Sequence, residues 1–342
     1  MATRMQPAGL DLVEESAPDS QRVAVLEAPY RITTARGRIP EPGDDEVRVK
    51  VRWVGVCGSD VEVYRGTRRP EWLSLPARLG HEVAGVIDKL GAHVRGLAVG
   101  DPVICRYIWG GFAEYVVCRP FNVMKLPPGF PLKEASLIEI LPGILHAAEL
   151  SRIDPGTNVL IMGQGVSGLT LTQVLSLFSP GILAVTDLKE RNLELARRYG
   201  ATHAYRLSTP QTPTMEVAGE DFPAGFDVVI PCLTVGHGMI DAVDVAAVCG
   251  RIVMYGCIET CSKPFDFYKV HYKRLTIHTT EPRRDIDMRR FFQEGVQLVM
   301  DGLVNTAGIL THEVPLSRID QALALRDDQA NDAIHVLVDC EA

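Results

Sequence analysis

Residue types that bind metal ions occur at three places in the first half of the chain. They are Cys57, the adjacent pair His81 and Glu82, and Glu139. Cysteine, histidine and carboxylate are the ligands of catalytic zinc sites, which keep one coordination position open for substrate. The spacing is too wide for a local zinc finger, so only folding could gather these side chains. Each residue also has an ordinary structural role, such as a small buried cysteine or a surface acid, so spacing alone leaves metal binding open.

A glycine-rich turn marks the second half of the chain. Gly163, Gly165 and Gly168 have the G-x-G-x-x-G spacing, between an apolar strand pattern and a helical run. Without a Cβ atom, the first two glycines allow a tight turn and a close approach of pyrophosphate to the backbone, and the third lets helix and strand pack closely. The pyrophosphate would face the N–H groups at the start of the helix, from Val166 onward.

Asp187 ends the next apolar strand pattern, about twenty residues after the third glycine. A carboxylate at this point accepts hydrogen bonds from ribose hydroxyls and repels the 2′-phosphate of NADP. Lys189 and Arg191 lie close by in the sequence, but on the following helix they are expected to be solvated. Strand, glycines, helix, strand and acid in this order predict a dinucleotide site, with NAD preferred over NADP.

Two patterns of secondary structure divide the chain. Residues 46–56 alternate apolar and charged side chains, which is typical of a half-buried strand, and glycine and proline interrupt the surrounding region. From about residue 157, short apolar strands alternate with helical segments, which indicates a parallel sheet with helices on both faces. These strands are predicted at 159–162, 182–186, 226–230, 251–255 and 275–279. Helices at 286–304 and 316–326 and a strand at 334–338 follow, and periodicity does not decide which domain they join.

The composition is that of a two-domain globular protein. The chain has 342 residues, 46% hydrophobic and 23% charged, with a formal net charge of −8. This acidic balance argues against a nucleic-acid partner. The most apolar window, 158–185, is interrupted by glycine and proline, so it predicts two buried strands flanking a helix and no membrane span. Residues 1–19 are predicted as an N-terminal extension, and the dispersed cysteines favour a reducing, cytoplasmic setting.

Together these motifs resemble the zinc-dependent medium-chain dehydrogenase/reductase family of the alcohol dehydrogenase superfamily, in the branch of sorbitol, other polyol and threonine dehydrogenases. The stretches that carry the resemblance are residues 55–60, 80–85, 100–103 and 137–139, with the glycine turn and Asp187. The resemblance implies an α/β fold: a GroES-like, β-rich catalytic domain split around a Rossmann domain with a doubly wound parallel sheet. The expected bounds are 20–141 with 285–342 for the first and 142–284 for the second. It also implies NAD, one catalytic zinc per chain, and a homodimer or homotetramer.

The resemblance assigns roles residue by residue. Cys57 and His81 match the two zinc ligands shared across the family, and Glu82 matches the adjacent acid that binds zinc in the polyol branch. Glu139 matches a position that binds zinc directly or through water and tunes its Lewis acidity. Ser59 matches the hydroxyl that takes the substrate proton.

The sequence departs from the family pattern at three points. Where relatives often carry four cysteines for a structural zinc, this stretch has only Cys105 and Cys118, so a single zinc is expected. Glu62 stands where relatives often place the histidine that ends a proton relay, and it either takes over that role or is solvated. His335 matches an arginine that contacts the cofactor pyrophosphate in some relatives.

The substrate pocket is predicted around Tyr107, which aligns with a position near the substrate. Together with Trp109 and Arg106 it would offer a flat apolar face and hydrogen-bond donors to a hydroxylated ring. Arg283 and its neighbour Arg284 could meet an anionic or polyol group. The alternative is that the three residues near position 107 pack a shortened loop and that the two arginines are solvated.

Three functions are compatible with these observations. The first is hydride transfer between NAD and a secondary alcohol of a sugar, cyclitol or polyol, giving the ketone. The second is a zinc-free quinone or enoyl reductase of the same superfamily, and the third is a protein that binds NAD(H) without turnover. A variant of the first keeps NAD bound and oxidises a ring carbon only transiently.

Overall fold

The computed structural model describes residues 11–14, 16–68, 74–234, 236–258, 263–280 and 285–342. The strands are β1 (Ser20–Ala28), β2 (Arg31–Arg38), β3 (Val47–Gly55), β4 (Glu82–Leu90), β5 (Pro102–Cys105), β6 (Tyr115–Cys118), β7 (Val123–Lys125), β8 (Asn158–Met162), β9 (Ile182–Asp187), β10 (His203–Arg206), β11 (Phe226–Pro231), β12 (Ala246–Met254), β13 (Thr276–Thr279), β14 (Leu310–Pro315) and β15 (His335–Asp339). The helices are α1 (Gly58–Arg65), α2 (Leu132–Ala135), α3 (Leu141–Ser151), α4 (Val166–Ser176), α5 (Glu190–Arg198), α6 (Thr214–Ala218), α7 (Gly236–Val245), α8 (Phe267–Lys273), α9 (Asp285–Met300) and α10 (Ile319–Asp327). They fall into two compact units, one running to Glu139 and resuming at Ile309–Ala342, the other Ile140–Gly308.

The first unit is rich in β-structure. Its larger sheet has seven strands in the order β14-β15-β3-β4-β5-β7, with β6 also paired to β3, and β1 and β2 form a separate hairpin. The alternation in residues 46–56 is confirmed as β3, where Val47, Val49 and Val51 are fully buried. Alternate residues of a strand point to opposite faces, so these valines face the core while the charged residues between them stay partly exposed.

The second unit is a doubly wound parallel sheet. Its six strands have the order β10-β9-β8-β11-β12-β13, and every pair is parallel. The five predicted strands are confirmed as β8, β9, β11, β12 and β13. The strand order reverses between β8 and β11, and the crevice beyond the carboxyl ends of strands at such a point is where ligands bind in open α/β sheets.

The apolar window 158–185 forms β8, α4 and β9, as predicted. Across the part of the chain that the structure describes, no helix is both long and apolar enough to cross a membrane.

The boundary between the units differs from the expected one at its C-terminal end. The return to the first unit comes at Ile309 and not at 285, since α9 belongs to the second unit. There Gly295 lies against the side chain of Leu141, and the rings of Phe291 and His146 are 5.8 Å apart. These contacts hold α9 against α3. The strand predicted at 334–338 is β15, which pairs with β3 in the first unit.

Candidate metal centre and dinucleotide turn

Three of the predicted metal ligands come together in the first unit. One ligand atom each from Cys57, His81 and Glu82 lies within 4.8 Å of the others. The sheet register explains this, because Gly55 at the end of β3 is paired with Glu82 at the start of β4. Cys57 follows β3 by two residues and His81 immediately precedes β4, so two separate loops meet at one edge of the sheet.

The donor set and its burial fit a divalent metal ion. Glu82 is only 1% exposed, and its Oε2 has no hydrogen-bond partner among the residues that the structure describes. An unpaired buried carboxylate oxygen costs free energy unless a cation lies beside it. A thiolate, an imidazole and a carboxylate are also the donors of catalytic zinc sites.

The ionisation of this centre favours a cation. Burial lowers the pKa of His81, but the charges and hydrogen bonds of Asp60 and Cys57 outweigh burial and raise this pKa well above its ordinary value. For Glu82, burial raises the pKa, while His335, His81 and a hydrogen bond with Cys57 together lower it below its ordinary value. The negative groups around the imidazole therefore stabilise positive charge, whether that charge is a proton or a metal ion.

Asp60 connects the two ligand loops, a role that the sequence interpretation missed. It is fully buried; one carboxylate oxygen accepts from the Cys57 N–H and the other from the Gly80 N–H, both at 3.0 Å. The second oxygen also lies 3.4 Å from Nδ1 of His81. A carboxylate behind a histidine ligand orients the ring. The available signal was an acid three residues after Cys57 in the first turn of α1.

His335 is placed beside the metal ligands. Its side chain is fully buried, and its Nε2 lies 3.1 Å from Oε2 of Glu82 without the alignment of a hydrogen bond. The contact was missed because the residues are 253 positions apart (335 − 82) and meet only through the pairing of β15 with β3. Its predicted contact with the cofactor pyrophosphate stays a prediction.

Ser59 and Trp109 both flank His81. The Ser59 hydroxyl lies 3.4 Å from Nε2 of the imidazole, and the Trp109 ring packs against it with centroids 4.7 Å apart. Glu62 lies one turn further along α1, where its carboxylate accepts a hydrogen bond from Arg68 at 3.1 Å. The structure thus places Ser59 at the metal centre and Glu62 in an ion pair.

Glu139 falls outside the group of three ligands. Its carboxylate lies 3.7 Å from Nε of Arg106, and its backbone carbonyl accepts from Nη1 of the same arginine at 2.6 Å. Arg106 also donates to the Tyr107 hydroxyl at 3.3 Å, with its guanidinium 4.6 Å from the centre of the tyrosine ring. Arg106, predicted to face substrate, is therefore held by Glu139 and Tyr107. The predicted metal role of Glu139, as a direct ligand or through water, stays a prediction.

The three glycines of the second unit each fit their predicted purpose. Gly163 has a left-handed backbone with φ of 90°. A Cβ atom at Gly168 would collide with the carbonyl oxygen of Gly163, so only glycine permits this approach of helix to strand. At Gly165, no atom of the described residues lies within 4 Å of the position that a Cβ would take, which leaves open space before α4.

The start of α4 can receive an anion. Within the described ranges, no side chain caps this helix, so the N–H groups from Val166 onward can bind pyrophosphate. Asp187 supports the turn from the end of β9, accepting from the N–H of Gln164 at 2.6 Å and of Lys189 at 2.8 Å. Burial raises the pKa of Asp187 despite the opposing effect of these hydrogen bonds. The arrangement fits a dinucleotide.

Arg283, the remaining predicted substrate residue, and its neighbour Arg284 lie outside the described residues.

Comparison with known proteins identifies the family. The model of the alcohol dehydrogenase GroES-like domain matches residues 43–128, and the model of the zinc-binding dehydrogenase family matches residues 168–301. L-threonine 3-dehydrogenase of Aeromonas hydrophila is 30% identical over 328 residues, which cover 86% of this chain and 93% of that protein. Sorbitol dehydrogenase of Bacillus subtilis is 25% identical, over 94% of this chain and 98% of that protein.

A solved structure agrees with these relatives. A short chain alcohol dehydrogenase of Escherichia coli CFT073, crystallised with NADH, matches with a TM-score of 0.81 and 25% identity, over 94% of this chain and 99% of that one. The chain belongs to the zinc-dependent medium-chain dehydrogenase/reductase superfamily. Within it, this protein is an NAD-dependent alcohol dehydrogenase by class, which confirms the predicted family, fold and enzyme type.

Proposed function

We propose that the enzyme interconverts a secondary alcohol and a ketone on a sugar, cyclitol or polyol-like substrate, with one catalytic zinc and NAD. The observation that carries this proposal is the meeting of Cys57, His81 and Glu82 within 4.8 Å. The Ser59 hydroxyl lies 3.4 Å from Nε2 of the same imidazole. A substrate hydroxyl at the metal centre would lose its proton at this place. When bound, zinc would act as a Lewis acid on the substrate oxygen and NAD would accept the hydride.

The side chains of the metal centre have different roles in charge balance and positioning. Cys57 and Glu82 supply two negative charges, and neutral His81 supplies none, so the charge of a divalent ion is largely balanced. Asp60, whose carboxylate lies 3.4 Å from Nδ1 of His81, would orient the imidazole ring. Trp109 packs against His81, with the two rings tilted by 47° to each other.

Ser59 is proposed to take the proton of the substrate hydroxyl. Its place at the start of α1 puts Glu62 three residues further along, on the same face of the helix. We propose Glu62, held by Arg68, as the outlet of this proton. Glu139 is proposed to reach the metal through water, with Arg106 holding its carboxylate nearby.

The cofactor is proposed to be NAD, bound at the glycine turn. Gly165 and Val166 would meet the pyrophosphate, and Asp187 would accept hydrogen bonds from the adenosine ribose. Tyr107 and Trp109 are the proposed substrate residues, together with Arg283. The names of the relatives, threonine and sorbitol dehydrogenases, support a small hydroxylated substrate.

The experiment is a screen for NAD reduction by zinc-replete protein across sugars, inositols, aminocyclitols and amino acids. Ser59→Ala is the matched control, since it should keep zinc and NADH binding and lose turnover. Zinc well below one per chain in active protein would favour the zinc-free reductase. NADH binding without turnover on any substrate would favour a non-catalytic protein, and copurified NAD without net NADH would favour transient oxidation.

Two further properties are proposed. The eight cysteines are dispersed along the sequence without the dense pattern of a disulfide framework, which supports a reducing compartment such as the cytoplasm. A homodimer or homotetramer is expected from the family resemblance, and light scattering after size exclusion would decide between these two states.

A further inference from the structure

The first unit contains a cavity that none of the three metal ligands lines. Its volume is about 420 Å³, within the range of small-molecule sites. Its apolar walls include Val23, Val116 and Trp109, and its charged lining residues are Asp11, Arg38, Glu41 and Arg78. Of the described residues assigned to the proposed reaction, Trp109 alone lines this space.

Arg78 is a buried cation that has no counter-ion among the described residues. It is 8% exposed, and its Nη2 donates to the backbone carbonyl of Gly110 at 2.9 Å. In the described parts of the chain its Nε has no hydrogen-bond partner and no carboxylate pairs with it. Burial lowers its pKa to about 10, so the side chain is still positive at neutral pH. A buried charge of this kind is costly unless an anion meets it.

The acids at the cavity wall are already neutralised. Asp11 pairs with Arg38 at 3.2 Å, and Glu41 pairs with Arg48 at 2.8 Å and with Lys89 at 2.5 Å. Their charges are balanced by these partners, so among the described lining residues the charge that remains uncompensated is the positive charge of Arg78.

We propose that this cavity binds a small organic carboxylate. Its anionic group would pair with the guanidinium of Arg78, and its apolar or aromatic body would pack against Trp109 and Val116. A carboxylate matches the planar fork of a guanidinium, and one negative charge balances one positive charge. A phosphate dianion would bring excess charge and no apolar body for the walls.

The proposed site lies next to the metal centre without sharing its ligands. Arg78 donates to the carbonyl of Gly110, and the neighbouring Trp109 packs on His81. The inference does not depend on the proposed reaction, because Arg78 and the cavity would bind the carboxylate whether or not an alcohol is oxidised.

Isothermal titration calorimetry with benzoate on the full-length, metal-loaded protein tests the proposal. We expect saturable binding that Arg78→Gln weakens roughly 10- to 100-fold, from the loss of a charge-assisted pair. Arg95→Gln is the control, because Arg95 is an exposed arginine that likewise donates to backbone carbonyls, those of Ala92 and Val94. This control should bind benzoate like the unaltered protein.

The titration is repeated after chelation and with inorganic phosphate. Binding that survives chelation supports the Arg78 site, whereas binding that is lost with the metal places the carboxylate on the metal and overturns the proposal. No saturable binding at millimolar benzoate, equal binding by Arg78→Gln, or tighter binding of phosphate than of benzoate would each overturn it as well.

Thermal unfolding separates a lost site from a damaged fold. We expect the melting temperature of Arg78→Gln to be at least that of the unaltered protein, because an uncompensated buried charge is removed. Benzoate should raise the melting temperature of the unaltered protein and not that of the variant. Arg78→Lys keeps the charge but loses the fork, so its affinity should fall less than that of Arg78→Gln, and an equal or larger fall would contradict the role of the charge.

Discussion

Gly55 leaves the space in which Glu82 and His335 meet. A Cβ atom built on Gly55 would overlap Oε2 of Glu82 and stand 2.6 Å from Nε2 of His335. The backbone of Gly55 is outside the left-handed region, so replacement by alanine tests side-chain space alone. We predict that Gly55→Ala displaces the Glu82 carboxylate and weakens metal binding.

The size of the effect follows from the packing. Neither neighbour is at the solvent-exposed end of a flexible chain, because both side chains are almost fully buried. Forcing a methyl group into a packed core costs about 1–3 kcal/mol of unfolding free energy. At about 2–4 °C per kcal/mol, the melting temperature should fall by roughly 2–12 °C. Displacement of one ligand should cost about 10- to 100-fold in metal affinity, as changes around metal ligands do.

The assay is zinc content per chain after dialysis against a graded chelator, with calorimetric melting of the same samples. Gly58→Ala is the matched control, because the described residues leave its Cβ position open and it adjoins Cys57. Gly58→Ala should retain zinc and melt within about 1 °C of the unaltered protein. Zinc retention and melting by Gly55→Ala equal to this control would refute the reasoning.

Three further substitutions test the assigned roles. Cys57→Ala should abolish zinc binding and turnover while NADH binding, measured by fluorescence, persists; turnover by this variant would refute the metal role. Asp187→Ala should weaken NADH binding by about tenfold or more and remove the preference for NAD, since it deletes hydrogen bonds to a charged group; an unchanged preference between NAD and NADP would contradict that function. Arg106→Gln should lower the free energy of unfolding in urea by up to about 3–5 kcal/mol, because it breaks the buried ion pair between Arg106 and Glu139. Adding Glu139→Gln should recover most of that loss, and a double variant as unstable as the single one would show that the pair is not the cause.

The structural features that the sequence predicted correctly are those that a short run of neighbouring residues determines. The glycine turn is one such feature, because Gly163 and Gly168 lie only five residues apart. Gly163 has a left-handed backbone, and Gly168 has no room for a Cβ atom. Strands with apolar runs, such as β8 and β9, were also found. The strand β10 was missed, because its residues His203–Arg206 carry no apolar run and, among the described strands, it pairs with β9 alone at the sheet edge.

The boundary of the second unit shows where local patterns stop being informative. The helical pattern of α9 was recognised, but its periodicity says only that one face is apolar. That this face packs on α3, and so belongs with the second unit, depends on contacts between residues more than a hundred positions apart.

At the metal centre, the sequence by itself determined the ligand types and, through family resemblance, named Cys57, His81 and Glu82. Tertiary structure alone decided which charged or titratable side chains lie beside these three ligands. Asp60 bridges two loops, and His335 reaches Glu82 through the pairing of β15 with β3. Whether another buried charge such as Arg78 has a partner also depends on which parts of the chain pack around it. The physical reason is that the free energy of a buried charge depends on its distance to groups from every part of the chain, and sequence order does not specify those distances.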